Sequence, residues 1–157
     1  MGKKTAIVTG GAGFIGSHMV DLLIREGFMV RVIDDLSVGN TSNLDHLANN
    51  PDLSLIESDI RSLETKSSII NDVKYVFHFA GIGSIVPSIE KPLEYMDVNS
   101  TGTLRLLEMC KNSSLQKFVY AASSSCYGLA ETPTSETHPI DTQHPYAVSK
   151  YHGEQIA

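Results

Sequence analysis

Short apolar runs alternate with longer segments whose apolar positions recur every three to four residues, and the alternation repeats along the chain. Thr5-Ala6-Ile7-Val8-Thr9 predicts a buried strand that stops at Gly10-Gly11. Residues 14–26 follow, with Ile15, Met19, Leu22 and Leu23 as a helical stripe and Gly27 as its stop. Residues 29–33 predict a second strand, leading into a polar loop through Asn43, and residues 52–56 a third strand after Pro51. A short helix is expected over 60–70 and a fourth strand over 75–79. A long helix is expected over 92–109, on Leu93, Met96, Leu104, Leu106 and Leu107, with Gly102 ill-fitting at its middle. Residues 118–121 predict a fifth strand, and a loop holding Pro133, Pro139 and Pro145 leads to a last helical segment. Strands apolar on both faces and separated by helices demand a parallel sheet covered on both sides. Right-handed crossovers then favour a doubly wound α/β fold with strand order 3-2-1-4-5.

Composition narrows the class. The 157 residues fit one domain, and charged residues at 19% with ordinary Gly and Pro counts exclude a disordered or collagen-like chain. A net charge of −6 leaves no basic footprint for nucleic acid. No apolar run reaches the roughly 18–20 residues of a membrane span. The segment Met1-Gly2-Lys3-Lys4 enters the first strand without a signal-peptide pattern, and Cys110 and Cys126 lack framework spacing, so a cytoplasmic setting is expected. These cysteines and the six histidines also lack metal-ligand spacing, and no metal site is expected. His78, inside an apolar strand, reads as a core histidine with its hydrogen bonds satisfied.

The candidate chemistry sits where strands end. Thr9-Gly10-Gly11-Ala12-Gly13-Phe14-Ile15-Gly16 joins the first strand to the first helix. Such glycines let backbone amides approach a pyrophosphate, and the helix N-terminus adds partial positive charge. Gly10, Gly13 and Gly16 recur every third residue, while Gly11, Gly13 and Gly16 also satisfy G-x-G-x-x-G. Asp34-Asp35 ends the second strand, where a carboxylate accepts hydrogen bonds from ribose hydroxyls and repels a 2′-phosphate, favouring NAD over NADP. Asp59, after the third strand, either holds an adenine edge or caps a short helix. Tyr146 and Lys150 lie one helical turn apart and so share a face. A phenol is a poor base near neutrality, and a fixed ammonium nearby favours its phenolate. Ser123-Ser124-Ser125, after the fifth strand, would share their crevice, because parallel strands end on one edge.

Taken in order, the glycine turn, Asp34, Asp59-Ile60, Phe79-Ala80-Gly81, Asn99-x-x-Gly102-Thr103, Ser123-Ser124-Ser125-Cys126-Tyr127-Gly128 and Tyr146-x-x-x-Lys150 resemble the extended short-chain dehydrogenase/reductases. Within them the chain is most similar to NAD-dependent nucleotide-sugar 4-epimerases of the UDP-glucose and UDP-N-acetylglucosamine type. The resemblance implies that Gly10, Gly13, Phe14, Ile15 and Gly16 hold the NAD pyrophosphate and Asp34 the adenosine ribose. Asp59 and Ile60 would flank the adenine, and Phe79, Ala80 and Gly81 would line the cofactor. Asn99 would support the site through hydrogen bonds. Tyr146 would be the general base, with Lys150 assisting it and bonding the nicotinamide ribose, and Ser123 would bond the sugar's reacting hydroxyl. Ser124 and Ser125 would contact the nucleotide-sugar substrate.

Resemblance also separates near relatives. Nucleotide-sugar 4,6-dehydratases place Asp-Glu where this chain has Ser124 and Ser125, and a hydroxyl cannot replace a carboxylic acid in expelling water. The related decarboxylases carry Glu in place of Ser125. Full members of the family continue into a carboxy-terminal substrate domain. Residues 1–157 are therefore expected to be an incomplete Rossmann domain, binding NAD and turning over sugar poorly unless another chain completes it. Its rivals are a catalytically silent NAD-binding fragment and a partner of a full-length homologue. The family pairs helices near 92–112 and 145–157 in a homodimer.

Overall fold

Every residue of the first strand, β1 (Thr5–Thr9), is buried in the computed structural model, which describes residues 2–63 and 68–157. Alternation along β1 divides the interior into two cores. Ala6 and Val8 face one side with Val20, Leu23, Val30, Val32 and Leu44. Ile7 faces the other with Ile33, Val76, Leu106 and Met109. A central strand buried on both faces needs neighbours on both edges. Here β2 (Met29–Asp34) and β4 (Val73–His78) flank β1, with β3 (Leu53–Glu57) beyond β2 and β5 (Lys117–Tyr120) beyond β4. All pairs run parallel, giving the expected order 3-2-1-4-5. The strands leave the sheet on one edge, and connections part to opposite faces between β1 and β4, where a crevice forms.

Helix α1 (Phe14–Arg25) ends as its glycine dictates. Gly27 has φ +82°, its amide bonds to the Ile24 carbonyl at 3.0 Å, and the Phe28 amide reaches the Leu23 carbonyl at 3.0 Å, which together close the last turn. The long helix expected over 92–109 is present but not uniform. It comprises α3 (Pro92–Met96), a π-helical turn at Asp97–Thr101 and α4 (Gly102–Cys110). A Cβ on Gly102 would stand 2.7 Å from Ile60 Cδ1, so the glycine lets a neighbouring turn cross the helix closely.

That neighbouring turn corrects the helix expected over 60–70. Ile60–Ser62 and Ser68–Ile70 are single 3₁₀ turns, and Leu63 is extended at ψ 131°; residues 64–67 lie outside the described residues. Asp59 accepts the Arg61 amide at 2.7 Å and Ile60 is drawn into the core, so local capping and tertiary packing prevail over the helical period. Two other elements lie where no periodicity announces them: a 3₁₀ run at Thr41–Leu47, capped by Asn40, and α2 (Ile85–Glu90). The final helix, α5 (Pro145–Ile156), starts at a proline with His144 Nδ1 accepting the Ala147 amide at 3.2 Å. Among the described residues, no helix is long and apolar enough to cross a membrane.

Candidate active site

A cavity of about 440 Å³ opens at the edge where β1, β2 and β4 end. Gly10 has φ +67°, and a Cβ there would lie 2.7 Å from the Ala80 amide nitrogen, so only glycine lets the two loops meet. Gly16 packs its α-carbon onto the Gly10 carbonyl, and an added Cβ would also stand 2.8 Å from Gly11 Cα. Both obstacles are backbone and cannot swing aside. Gly16→Ala is therefore expected to cost about 1–3 kcal/mol of stability in chemical denaturation, although alanine ordinarily favours a helix. Gly11 differs: a Cβ there would stand 2.7 Å from Val32 Cγ1, so its missing side chain makes room for that valine. Of the two overlapping glycine patterns, Gly10, Gly13 and Gly16 line the cavity and Gly11 packs against β2. No side chain caps α1 at Gly13, and its first turn carries no acidic residue. The leading amides of the helix are thus left to face an anion.

At the far end of the cavity stands Asp34, 6% exposed. Its Oδ2 accepts the Ala12 amide and its Oδ1 the Leu36 amide, each at 2.9 Å. Leu36 takes φ +58° to make that turn, and a Cβ on Gly39 would reach within 2.9 Å of Asp34 Oδ1. The carboxylate is fixed before any ligand arrives, and each oxygen retains a second acceptor position. Asp35 is occupied by Ser37, whose amide and hydroxyl it accepts at 3.0 and 2.6 Å. Asp59 also lines the cavity, but Arg61 grips it, with Nε at 2.9 Å and Nη2 at 2.6 Å from Oδ2. This guanidinium holds the Asp59 carboxyl below its usual range, and Nη1 reaches on to Asp97 at 2.8 Å. Asp59 thus caps its turn and pairs with Arg61 while Ile60, also at the cavity wall, packs against Gly102.

Phe79, Ala80 and Gly81 form the wall after β4, and a Cβ on Gly81 would stand 2.8 Å from Asn99 Oδ1. Asn99 lies in the π turn, 1% exposed, and all its side-chain groups are used. Oδ1 accepts the Ile82 amide at 2.9 Å, and Nδ2 donates to the Ile82 carbonyl and to Ser149 Oγ, at 3.0 and 2.9 Å. Ser149 donates onward to the Tyr146 carbonyl at 2.8 Å, so Asn99 ties the cavity wall to the first turn of α5.

Tyr146 is half-buried there, stacked on His144 with ring centroids 6.0 Å apart and edge-on to Tyr95. One turn later Lys150 places Nζ 4.2 Å from the centroid of the Tyr120 ring, and burial pushes its ammonium down to about 8. Ser123 caps the short turn Ser124–Tyr127 by accepting the Ser125 amide at 3.2 Å; Ser124 is exposed and Ser125 half-buried. Cys126, buried in that turn, contacts the Ala147 carbonyl of α5. Tyr146, Lys150 and Ser123 do not line the cavity wall that the glycines and Asp34 define. Of the residues near them in sequence, Ala121 after β5 does line it.

Sequence reasoning missed a buried relay behind this wall. Thr103 donates to the Asn99 carbonyl at 2.6 Å, so its oxygen must accept from His78 Nε2, 2.9 Å away. His78 Nδ1 is then the acceptor, and Thr9 Oγ1 donates to it at 2.5 Å while accepting the Ala80 amide at 3.2 Å. His78 is the core histidine the sequence suggests, with both nitrogens bonded. Its single tautomer also gives direction to a chain from the glycine turn to the π turn. Threonines at the end of β1 and after Gly102 were the available signal.

Comparison with known proteins places this geometry. The family model described as GDP-mannose 4,6 dehydratase matches residues 7–157. The chain is 40% identical over 152 residues to a putative UDP-glucose 4-epimerase of Methanocaldococcus jannaschii, covering 95% of this chain and 48% of the relative. Among solved structures, it resembles the UDP-N-acetylglucosamine 4-epimerase of Methanobrevibacter ruminantium, in complex with UDP-N-acetylmuramic acid. The TM-score is 0.91 at 37% identity, over 99% of this chain and 49% of that one. It also resembles a UDP-glucuronic acid 4-epimerase of Bacillus cereus in complex with UDP-glucuronic acid and NAD, with TM-score 0.89 at 33% identity, over 97% and 50% of the two chains. The chain spans about half the length of the curated relatives it matches.

Proposed function

The chain belongs to the GDP-mannose 4,6 dehydratase family, and from that premise we propose that its 157 residues are the NAD-binding part of a UDP-hexose 4-epimerase. One observation carries the reading. A glycine cradle that a Cβ would fill shares a crevice with a buried, pre-set carboxylate, on the sheet edge where Tyr146 and Lys150 begin α5. The residues fit NAD. Amides at Gly13–Gly16 suit its diphosphate, Asp34 its adenosine ribose, and the wall from Phe79 to Gly81 the remainder.

NAD⁺, when bound, would supply a hydride acceptor that in its reduced form is a hydride donor. The protein's part is proton handling and orientation. Tyr146 removes the proton of the C4 hydroxyl and restores it after the 4-keto sugar has turned over, while the Lys150 ammonium favours the phenolate. Ser123 orients the same hydroxyl, with Ser124 and Ser125 beside it. The relatives' epimerase chemistry and the hydroxyls at Ser124 and Ser125 favour epimerisation over dehydration. The partners in this reading are a nucleotide sugar and, across α4 and α5, a second copy of the chain.

Isothermal titration with NAD⁺ tests the cofactor half, with saturable binding expected and its absence overturning the reading. Incubation with UDP-galactose tests the chemistry. Slow or negligible formation of UDP-glucose is expected from these residues alone, and any turnover must vanish in Tyr146→Phe.

A further inference from the structure

Tyr120 ends β5 with its side chain directed at α5, and it meets that helix at three points. Its ring lies beneath the Lys150 ammonium at 4.2 Å, and its hydroxyl donates to the Lys150 carbonyl at 3.0 Å. One turn further on, a Cβ at Gly153 would stand 2.7 Å from Tyr120 Cζ, so a glycine within the helix leaves the space that the ring fills. Glycine inside a helix costs about 1 kcal/mol relative to alanine, and its presence there is explained by this contact. Burial keeps the Tyr120 phenol above its usual range and therefore protonated, as a donor to the helix carbonyl must be.

We propose that Tyr120 is a positioning residue for Lys150, its ring face serving as the platform that holds the ammonium in place and charged. The proposal rests on the reading of Lys150 as the partner of Tyr146. An ammonium on a flexible stem, withdrawn from water, has two ways to lower its free energy: lose the proton or find negative charge density. Glu154 on α5 and Cys126 in the Ser124–Tyr127 turn act on Lys150 in the charge-favouring direction, while His78 on β4 is close enough to feel its charge and Tyr146 stands one turn before it. Among these neighbours only Tyr120 puts a π face under the Nζ atom. A cation–π contact of this kind fixes both where the ammonium sits and how readily it keeps its proton.

The test follows the Lys150 side chain by NMR titration of its ¹³Cε resonance in the NAD-free chain. Tyr120→Leu is expected to lower the Lys150 midpoint by about 0.5–1 pH unit, and Tyr120→Phe, which keeps the ring, to leave it within about 0.2. Phenylalanines of increasing fluorination at position 120 keep the shape and weaken the π face, and should lower the midpoint stepwise even if the leucine variant fails to fold. An unchanged midpoint across the fluorinated series, or an equal fall in Tyr120→Phe, overturns the proposal. NAD⁺ titration of the unmodified chain is read separately. A chain that fails to bind NAD⁺ but shows the stepwise fall refutes the functional reading and leaves the platform standing.

Discussion

Lys150→Met is expected to make the folded chain more stable at pH 7 by about 2 kcal/mol, while removing the ammonium that the proposed chemistry uses. Burial pushes this lysine from 10.5 down to about 8, so the folded state binds its proton less readily than the unfolded state does. The neutral lysine therefore favours the fold fully above pH 10.5, and that contribution is lost as pH falls towards 8. At pH 7 the whole difference acts against folding, roughly 3 kcal/mol by linkage, and imperfect packing of a methionine in the lysine's place offsets about 1 of the gain. Methionine has similar length and no charge to desolvate. Urea denaturation of both proteins decides the matter. The methionine variant should lead at pH 7 and its lead should close by pH 11. A variant weaker than the parent at pH 7 would show that the ammonium is comfortably solvated. A charge kept at such a cost is the expected mark of a functional site, where stability is given up for chemistry.

The strands and the glycine turn were legible because each follows from a local rule. An apolar run of strand length, stopped by glycine and followed by a helical stripe, specifies β1 and α1 regardless of what lies elsewhere. Right-handed crossovers then narrow the order of the sheet to a few, with 3-2-1-4-5 the leading one. What stayed hidden depends on contacts between distant segments. Gly102 looks like a flaw in a helix until Ile60 is seen packed where its side chain would be. Gly153 and Tyr120 explain each other in the same way, across 33 positions that no periodicity spans. Asp59 left two readings open in the sequence; in the fold it caps its turn and pairs with Arg61 while still lining the cavity, a placement set by rotamer and geometry. The π turn has no sequence period of its own. It is recognisable only because Asn99 must point both to the cavity wall and to Ser149.

The same dependence on direction makes His78 the acid-sensitive point of the fold. Desolvation, together with the Lys150 charge, pushes this imidazole from 6.5 down to about 3, so it folds neutral and the unfolded chain takes up a proton first. Its contribution to stability is complete above pH 6.5 and is lost progressively as pH falls towards 3. Between pH 6.5 and 4 this amounts to about 3 kcal/mol. Asp59 and Asp72, whose carboxyls are held below 3.8 by Arg61 and Arg31, add their own losses only further into acid. In His78→Gln the fall over that window should shrink by about 3 kcal/mol, even if the variant is weaker throughout; parallel curves would refute the assignment. In the folded chain the proton arrives only near pH 3, and there it should be felt at the cradle. A proton on Nδ1 makes that nitrogen a donor, leaving the Thr9 hydroxyl proton without its acceptor. Thr9 also receives the Ala80 amide, so the bond that sets the Phe79–Gly81 wall against Gly10 loses its orientation. NAD⁺ affinity of the folded chain should therefore hold from pH 6.5 to 4 and weaken only as pH nears 3, where the folded imidazole takes its proton, and the glutamine variant should lack that fall.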